Sequence, residues 1–263
     1  MAHGGEAVAR KDGKAHFIAG AMPGEVVEAA VTEDRGSWAR ARLVSIIEPS
    51  PLRQDPPCPH AHVCGGCQWQ HADRDVQLGW KHDIVVSQLS HLGRMEDPPV
   101  GPTIAPGPSL GYRNRMDFHV TDGRAGLMRH RSNDVVPLDS CPLLDPILQP
   151  IFYRLGDLRG VDRITLRCGI RTGDVVIIVD GDVPDHAESW GAPVLRLERR
   201  KAVPVIGDAK LVEVVDDTPF AIPFTGFFQN NTHGADTLVD VAREAADLSE
   251  EETLLDGYCG VGL

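Results

Sequence analysis

The sequence has no long hydrophobic run and few cysteines, and each shortage excludes a class of protein. Its longest aliphatic run, Val175–Val179, is far shorter than the roughly 20 apolar residues of a transmembrane helix. Its first residues show neither the basic region nor the apolar stretch of a signal peptide. Six cysteines in 263 residues are too few for a disulfide scaffold. We therefore expect a cytoplasmic protein without a membrane-spanning segment, whose clustered cysteines bind metal or carry chemistry.

Positive charge is also scarce: 26 Lys and Arg stand against 38 Asp and Glu, which gives a net charge of −12. Such a balance argues at first against a nucleic-acid partner. The acid excess is uneven, however, because residues 151–263 hold 20 of the 38 acidic residues and only 11 of the 26 basic ones. Between Tyr112 and Arg131, five arginines stand against two aspartates. RNA is therefore not excluded as a partner, and any basic surface must be local.

Short alternating runs in residues 1–50 predict a small β unit. Four such runs lie at Glu6–Arg10, Lys14–Ile18, Val26–Thr32 and Ser37–Ile47. In the fourth run, small apolar residues alternate with Trp38, Arg40 and Arg42, which a strand would place on the opposite face. Several short strands at this spacing indicate a small barrel such as an OB-fold. The aromatic and basic face is either an RNA-binding surface or merely a solvated one.

A Pro-rich stretch, Pro49–Pro57, and a Pro- and Gly-rich stretch, Pro98–Pro108, interrupt the rest of the chain, and proline excludes central strands and helix interiors there. Apolar residues at helical spacing predict helices over Asp73–Leu92, with Gly93 as its C-cap, and over His233–Leu248. Strand signals separated by turn sequences predict strands at Arg115–Thr121, Arg163–Cys168, Val175–Val179 and Lys210–Val215, and a short apolar run predicts a buried strand at Thr253–Asp256.

A compact cysteine motif carries the clearest chemistry in the sequence. Cys58 is followed by Cys64-Gly65-Gly66-Cys67, and a distal Cys141 precedes a proline. Glycines between two thiolates let a loop wrap closely around one metal, and four cysteines suit either tetrahedral zinc or an iron–sulfur cluster. One tight triplet with a lone Cys-Pro is closer to cluster ligation than to paired zinc knuckles. Nearby histidines that could substitute as ligands are His60, His62 and His71.

Two further motifs suggest a ligand with a nucleotide-like part. An apolar run ending at Asp256 leads into Gly260-Val261-Gly262, as where Rossmann-like sheets bring backbone close to a nucleotide. Phe227 and Phe228 precede three carboxamides, Gln229 to Asn231, and could clamp a planar polar ligand. By physics alone, the two aromatics belong in a core and Asn231 caps a helix.

Read together, these residues resemble the RNA (uracil-5-)-methyltransferase family, in the branch with an N-terminal TRAM domain and an iron–sulfur cluster that modifies 23S ribosomal RNA. The segments that carry the resemblance are His3–Arg10, Pro23–Glu25, Pro49–Arg53, Cys58–His60, Cys64–His71, Tyr112–Arg115, Cys141-Pro142, Phe227–Asn231 and Asp256–Gly262. They span essentially the whole chain. Gly257 departs from the pattern, since the family usually has a larger apolar residue there.

The resemblance implies two cofactors and an RNA partner, most simply 23S ribosomal RNA bound by a monomer. The implied ligands of a 4Fe-4S cluster are Cys58, Cys64, Cys67 and Cys141. Residues implied at the S-adenosylmethionine site are Gln229, Tyr258, Asp256, Gly260 and Gly262. Candidate RNA-binding residues are Trp38, Arg40, Arg42, Arg113 and Arg115. In the family, a later cysteine attacks C6 of the uracil and a later glutamate removes the C5 proton. Neither position occurs before Leu263, so we expect a truncated chain that is inactive on its own.

The implied fold is α+β, in three parts. Residues 1–50 form a TRAM/OB-like β-barrel, residues 51–217 a central antiparallel β-rich domain that bears the cluster, and residues 218–263 the start of a Rossmann-like methyltransferase domain. The predicted function of the parent protein is S-adenosylmethionine-dependent C5 methylation of uridine in RNA. Two alternatives stay open: a non-enzymatic RNA-binding iron–sulfur module, and a zinc-bound binding protein.

Overall fold

The computed structural model describes residues 1–249 and 251–263, which form two compact units, Met1–Ala105 and Pro106–Leu263. The boundary between the units falls inside the Pro98–Pro108 stretch, where the sequence predicts an interruption. The division into three domains stays a prediction. None of the helices in the described residues combines the length and the apolar character needed to cross a membrane.

The first unit contains a four-stranded sheet. Its strands are β1 (Ala7–Lys11), β2 (Lys14–Ala19), β3 (Val26–Asp34) and β4 (Trp38–Glu48), in the order β1-β2-β4-β3. Strands β2 and β4 run parallel, and the other two pairs are antiparallel. The predicted alternation in β4 is confirmed, since Ala39 and Ala41 are buried while Arg42 is exposed. The sheet is open at β1 and β3 among the described strands, so the predicted barrel is not confirmed.

A helix and the cysteine loop complete this unit. Helix α1 (Arg74–His91) begins after Asp73, whose side chain accepts a hydrogen bond from the Val76 amide. It ends near the predicted Gly93, so the predicted helix is confirmed within about a residue at each end. Its buried residue is Trp80, whose ring meets the Trp69 ring edge-on at 5.4 Å between centroids. This ring contact packs α1 against the end of the cysteine loop.

An ion pair between the fully buried Glu25 side chain and the Arg53 side chain, which is 19% exposed, stabilises the turn between β2 and β3. Both Glu25 oxygens accept hydrogen bonds, from Arg53 Nε (2.5 Å) and Nη2 (2.8 Å) and from the backbone amides of Met22 (2.8 Å) and Ser50 (3.2 Å). Arg53 also donates to the Gly20 carbonyl. Burial raises the pKa of the Glu25 carboxyl, but these donors outweigh it and lower the pKa from 4.5 to about 2.

The depressed pKa gives the first testable prediction. Because the folded-state pKa lies below the unfolded one, the stability that Glu25 contributes is present above pH 4.5 and is lost as the pH falls towards 2. Glu25→Gln should lower the free energy of unfolding at pH 7 by about 1–3 kcal/mol, because buried donors lose an acceptor. It should also flatten the acid dependence, measured by urea unfolding at pH 7 and pH 3. Exposed Glu48→Gln is the control, and a Glu25 variant that keeps the wild-type acid dependence would contradict the prediction.

The second unit is built on a seven-stranded sheet. Its strands are β5 (Arg115–Thr121), β6 (Arg124–Met128), β7 (Val135–Pro137), β8 (Val161–Cys168), β9 (Val175–Gly181), β10 (Val194–Glu198) and β11 (Lys201–Ile206), in the order β11-β10-β9-β8-β5-β6-β7. All neighbours are antiparallel except β9 and β10. The predicted strands at β5, β8 and β9 are confirmed. Side chains of β8 and β9 form the buried centre, with Ile164, Leu166, Ile177 and Val179 at 0% exposure.

Two short helices and a hairpin flank this sheet. They are α2 (Gln149–Arg154), a 3₁₀ helix (Asp185–Trp190), and the hairpin of β12 (Val212–Val215) and β13 (Thr218–Ala221). Helix α3 (Thr232–Ala246) follows, and Asn231 caps it by accepting a hydrogen bond from the Gly234 amide. The predicted helix and the predicted cap are both confirmed. Side chains of α3 at Leu238 and Val241 are 52% and 40% exposed, so the predicted apolar face is largely uncovered.

The predicted strand at Thr253–Asp256 is wrong. These residues have no regular structure, and Leu254 and Leu255 are 66% and 89% exposed. A strand needs a neighbour to receive its backbone hydrogen bonds, and no strand in residues 1–249 or 251–263 pairs with this run. Apolar composition alone therefore misled the prediction. The Rossmann-like description of residues 218–263 stays a prediction.

Candidate cofactor-binding segment and metal-binding loop

A buried arginine holds the turn that precedes the predicted cofactor residue Gln229. Arg167 on β8 is 2% exposed, and its Nη1 atom donates to the carbonyls of Pro223 (3.0 Å), Phe224 (3.1 Å) and Gly226 (2.9 Å). Burial lowers the pKa of this guanidinium to about 10, so it stays charged at neutral pH. A buried cation is costly unless its donors are satisfied. The three carbonyls therefore fix the turn to the sheet.

Arg115, a predicted RNA-binding residue, lies beside Arg167 and serves the same turn. The two arginines are paired across β5 and β8, and Arg115 Nη1 also donates to the Gly226 carbonyl at 3.2 Å. Its remaining donors bind both oxygens of Asp117, at 3.1 and 3.0 Å, and Thr165 donates to the same carboxylate. Burial raises the pKa of Asp117, but the hydrogen bonds from Arg115 and Thr165 outweigh it and lower the pKa overall. The Arg115 guanidinium is thus committed to contacts within the protein.

A chain of buried polar side chains fixes the next residues, and we call it the Asn114–Thr232–Glu213 network. Asn114 Nδ2 donates to the Gln229 carbonyl at 2.9 Å and to Thr232 Oγ1 at 3.1 Å. The Thr232 hydroxyl donates to Glu213 Oε2 at 2.7 Å. These three side chains are 4%, 1% and 0% exposed. The network therefore joins β12, the start of α3 and the backbone of Gln229.

Glu213 is the anionic end of this network and is completely buried. Besides Thr232, it accepts backbone N–H groups from Ile170 (2.8 Å), Arg171 (3.1 Å) and Val214 (3.0 Å). Four donors on one carboxylate offset the loss of water around a buried charge. The carboxylate thereby ties the turn after β8 to β12 and to α3.

These contacts give the segment Phe227–Asn231 a fixed backbone with one projecting aromatic side chain. Phe228 is 3% exposed and packs in the core, whereas Phe227 is 76% exposed. The expectation that both aromatics are buried is therefore right for Phe228 and wrong for Phe227. Gln229 is half-buried. Its backbone carbonyl accepts a hydrogen bond from Asn114, and Asn231, two residues later, caps α3. The segment presents an aromatic and a carboxamide on a backbone that the core holds.

The second predicted cofactor motif is a loop of two tight turns. Asp256 Oδ1 accepts the Tyr258 amide at 2.8 Å, and the Gly262 amide donates to the Cys259 carbonyl at 2.8 Å. Gly260 and Gly262 have φ of 60° and 93°, which favour glycine. The Tyr258 side chain is fully exposed.

The structure brings the two predicted cofactor motifs to one hydrophobic cluster. Phe228 belongs to the buried cluster that includes Val176, Leu195 and Ile222. Val261, from the second motif, packs against the same cluster while partly exposed. The two motifs are separated by the whole of α3 in sequence, so this shared cluster is what unites them.

The cysteine loop is compact and irregular. The Ala61 amide donates to the Cys58 carbonyl (3.2 Å), and the Cys64 amide donates to the His60 carbonyl (2.8 Å), which makes successive turns. The Gly66 amide donates to Cys64 Sγ at 3.3 Å. Burial raises the pKa of the Cys64 thiol, and nearby Cys58 raises it further. Cys58 and Cys64, two of the predicted ligands, therefore lie near each other, and the Cys64 sulfur accepts a hydrogen bond from a backbone amide.

The metal centre predicted at this loop is not confirmed, because the side chains of the loop do not converge on a point. No group of three or more Cys, His, Asp or Glu side chains has metal-binding geometry in the part of the chain that the structure describes. The same described residues contain no disulfide, so the thiols are not consumed that way. Buried nitrogens without a hydrogen-bond partner among the described residues occur at Gln70 Nε2 and His71 Nε2, immediately after the loop. Cys141 is buried in the second unit.

The predicted RNA-binding residues of the first unit lie on one face of β4. The Arg40 guanidinium lies 4.9 Å from the centre of the Trp38 ring and forms ion pairs with Glu33 and Glu6. The Trp38 ring meets Phe17 edge-on at 6.0 Å. Arg42 is exposed. Of the three predicted residues, Arg42 is therefore the best placed to meet a phosphate.

Arg113 joins three segments of the second unit through its backbone. Its amide donates to the Leu143 carbonyl, its carbonyl accepts the Asp145 amide, and it also bridges to Asn231. Its Nε atom is buried and has no hydrogen-bond partner within the described residues. Arg113 thus has a structural function whether or not its guanidinium meets RNA.

Sequence reasoning did not identify the residues that hold the site together. No sequence pattern marked Arg167, Glu213 or Thr232 as site residues, because charged and polar residues in short strands usually face solvent. Asn114 lay in the Tyr112–Arg115 motif without a role of its own. The hydrogen-bond partners of these side chains are distant in sequence, so no local spacing of residues predicts them.

Replacement of the Glu213 carboxylate tests this network. Glu213→Gln substitutes an amide donor for one acceptor oxygen, so at least one buried N–H or hydroxyl group loses its partner. The free energy of unfolding should fall by about 1–3 kcal/mol in urea titrations. Glu198→Gln, at an exposed surface ion pair with Arg196, should change it by less than about 0.5 kcal/mol. Equal stability of the two variants would show that the network is not a support of the fold.

Comparison with known proteins shows which proteins the chain is similar to. No protein-family model matches the chain. A protein of Gloeobacter violaceus named as an RNA methyltransferase (gll3134) is 33% identical over the whole chain, and one of Streptomyces coelicolor with the same designation (SCO5901) is 31% identical over the whole chain. The chain spans slightly under two thirds of these relatives, 66% and 62% of their lengths.

A solved structure shares the fold. The crystal structure of Pyrococcus abyssi tRNA (uracil-54, C5)-methyltransferase in complex with S-adenosyl-L-homocysteine matches 99% of this chain and 69% of its own, with a TM-score of 0.71 and 24% identity. The chain is therefore similar over its whole length to bacterial proteins named as RNA methyltransferases, and it shares the fold of the Pyrococcus structure.

Proposed function

We propose that the chain serves S-adenosylmethionine-dependent methylation of uridine at C5 in RNA. The observation that carries this is the segment Phe227–Asn231, which keeps the family's aromatic and carboxamide residues on a backbone fixed by buried side chains. Homology to RNA methyltransferases and a fold shared with a uracil-C5 enzyme support it. A methyl-transfer site could not use a loosely held segment equally well, because catalysis depends on positioning to within about 1 Å.

In this proposal Gln229 and Tyr258 contact the methyl donor. The carboxamide of Gln229 hydrogen-bonds a polar part of S-adenosylmethionine, and the ring of Tyr258 supplies apolar contact area. Asp256 orients Tyr258 through its backbone amide, while Gly260 and Gly262 let the loop approach the ligand without side chains in the way.

The reaction needs two groups that these residues do not supply. A cysteine thiolate must add to C6 of the uracil, because C5 is otherwise too weak a nucleophile to take the methyl group. A base must then remove the C5 proton so that the thiolate is expelled. By the family resemblance, neither group is among residues 1–263. Cys168 is buried, which raises the pKa of its thiol, and Cys259 lies in the cofactor loop, so neither takes the nucleophile's role.

Joining residues 1–263 to the last third of the Gloeobacter relative tests this function. The hybrid should form 5-methyluridine from labelled S-adenosylmethionine and unmodified RNA, while residues 1–263 alone should form none. In the hybrid, Gln229→Ala should reduce product formation about tenfold or more, as expected for a lost hydrogen bond to a charged ligand. Gln88→Ala, on an exposed position of α1, should leave it unchanged.

Two results would contradict this account. Product from residues 1–263 alone would mean that the nucleophile lies within them, and loss of that product in Cys259→Ala would identify Cys259 as the nucleophile. A folded hybrid that binds RNA but never forms 5-methyluridine would favour the alternative, a non-enzymatic RNA-binding module.

The RNA substrate is proposed to be 23S ribosomal RNA, and transfer RNA is the second candidate. The ribosomal assignment rests on the resemblance of residues 58–71 to the cluster loop of that branch. The second candidate has one specific observation in its favour, the tRNA substrate named for the Pyrococcus structure. Methylation of the two RNA classes in competition separates them. We further propose that the protein is monomeric and cytoplasmic and that its first domain is TRAM-like.

Exposed Arg42 gives a test of RNA contact in the first unit. Arg42→Glu should weaken RNA binding and reduce the dependence of log Kd on log salt concentration by about 1, because one phosphate contact and its released counterion are lost. Arg196→Glu changes the same charge at another exposed strand position, 50% exposed, and is the control. The prediction is contradicted if both variants bind RNA alike at every salt concentration.

We also propose that the cysteine loop holds a 4Fe-4S cluster, with Cys58, Cys64 and Cys67 as ligands and Cys141 as the fourth. The spacing of the cysteines supports it, since Cys58, Cys64 and Cys67 lie within ten residues of one loop and are half-buried. Such a cluster would tie distant parts of the chain together and thereby favour the folded state. Zinc is the alternative occupant.

Metal analysis of protein purified without oxygen distinguishes these occupants. The wild-type chain should be brown and contain about four iron atoms, and Cys64→Ser should lose at least half of the iron. Cys259→Ser, at an exposed cysteine outside the loop, should keep it all. A colourless protein with one zinc ion per chain would replace the cluster by a structural zinc site, and a metal-free protein would remove both.

A further inference from the structure

Four hairpins of the protein turn through two residues each, and one of them uses an unusual pair. The turn pairs are Asp12-Gly13, Asp122-Gly123, Asp216-Asp217 and Arg199-Arg200. All eight residues have positive φ, between 46° and 79°. Such turns match the twist of the paired strands, and glycine, asparagine and aspartate adopt them most readily. The hairpin of β10 and β11 instead places two long, charged side chains in this conformation.

The two arginines gain no contact within the protein from this strained backbone. A left-handed conformation brings the β-carbon of an L-residue close to a carbonyl oxygen, which costs free energy at both positions. Arg199, Arg200 and the next residue, Lys201, are exposed. Their side chains form no ion pair or hydrogen bond with residues 1–249 or 251–263. Because strained backbone clusters where a protein binds something, we looked for a ligand of these three residues, which we call the basic tip.

The basic tip is positively charged in an acidic part of the chain. Residues 196–201 hold four basic residues and one acidic residue, whereas residues 151–263 as a whole hold 11 basic and 20 acidic ones. The acidic residue, Glu198, is paired with Arg196. Elsewhere in residues 151–263, three further basic residues are paired with carboxylates: Arg159, Arg171 and Arg243. The charges of the basic tip are therefore available to an anionic partner.

Protection of the sheet edge does not account for the arginines. Strand β11 is an edge strand, and proteins guard such edges against unwanted pairing with proline and lysine. Pro204 lies within β11 and Lys201 begins it, so the strand already carries both devices. This protection requires nothing of the turn, where an Asn-Gly pair would close the hairpin at lower cost.

We propose that the basic tip binds phosphate groups of the RNA substrate. This inference rests on the RNA partner proposed above and adds a contact surface to it. Guanidinium groups bind phosphate through two parallel hydrogen bonds, and a two-residue turn presents two of them side by side at the end of a short hairpin. Phosphate contacts orient an RNA without reading its bases. The basic tip therefore contributes affinity and orientation, and the choice of uridine depends on other residues.

Two double variants separate the charge of the tip from the geometry of its turn. Arg199→Asn with Arg200→Gly installs the favoured turn pair and removes two charges. Arg199→Lys with Arg200→Lys keeps both the charges and the strained backbone. The matched control is Arg196→Gln with Lys210→Gln, which removes two charges from exposed positions of the same unit outside the tip. All are made in the full 263-residue chain.

Binding is measured with unmodified transcripts of 23S ribosomal RNA and of a transfer RNA over a series of salt concentrations. The Asn-Gly variant should unfold at a higher urea concentration than the wild type, yet bind RNA about tenfold more weakly. Its slope of log Kd against log salt concentration should fall by about 2, because two phosphate contacts and their released counterions are lost. The Lys-Lys variant should keep the wild-type slope within about 0.5, and the control should keep the wild-type affinity within about twofold.

An Asn-Gly variant that binds both RNAs as tightly as the control overturns the inference, as does an equal loss of affinity in the two. Loss of binding to phosphatidylserine vesicles in the Asn-Gly variant, with RNA binding unchanged, would assign the tip to a membrane surface and overturn it as well. A wild-type chain that binds neither RNA overturns the proposed RNA partner together with this inference. The proposed chemistry is tested separately, by methylation in the hybrid protein.

Discussion

The second unit depends on how the protein satisfies a buried cation and a buried anion that have no direct partner of opposite charge among the described residues. Arg167 Nη1 donates to three carbonyls of one turn, and Glu213 accepts from three backbone amides and the Thr232 hydroxyl. Because the partners are backbone groups, these side chains fix chain geometry rather than neutralise each other. The backbone before and after Phe227 is therefore set by the sheet, and Gln229 inherits its place from residues up to 115 positions away.

The first unit solves a similar problem in a different way. Glu25 and Arg53 form a buried pair, and both also bind backbone groups of the turn between β2 and β3. Such a pair strongly disfavours any rearrangement that would leave one buried charge without its partner. In both units, polar side chains specify the geometry next to the predicted functional residues, while apolar side chains supply the driving force for folding.

Sequence reasoning found the elements whose signals are local. The strand Arg115–Thr121 alternates and ends at a turn sequence, and α1 follows an Asp cap. It missed the hairpin of β10 and β11 because its turn is Arg199-Arg200, two residues with positive φ where Asn or Gly is the usual sign. A strand was wrongly predicted at Thr253–Asp256, because an apolar run does not show whether a neighbouring strand exists for it to pair with. The contacts of Arg167 and Glu213 could not be predicted from the sequence, because only the fold brings their hydrogen-bond partners close to them.

The central claim is that the segment fixed by Arg167 and the Asn114–Thr232–Glu213 network binds the methyl donor. The most direct measurement is a titration of the isotopically labelled chain with S-adenosylhomocysteine, followed by NMR at each backbone amide. The account predicts saturable shifts at Phe227–Asn231 and Asp256–Gly262, even if binding is weak, with residues of β1 to β4 unaffected. Binding that leaves both segments unshifted, or shifts elsewhere only, would contradict it.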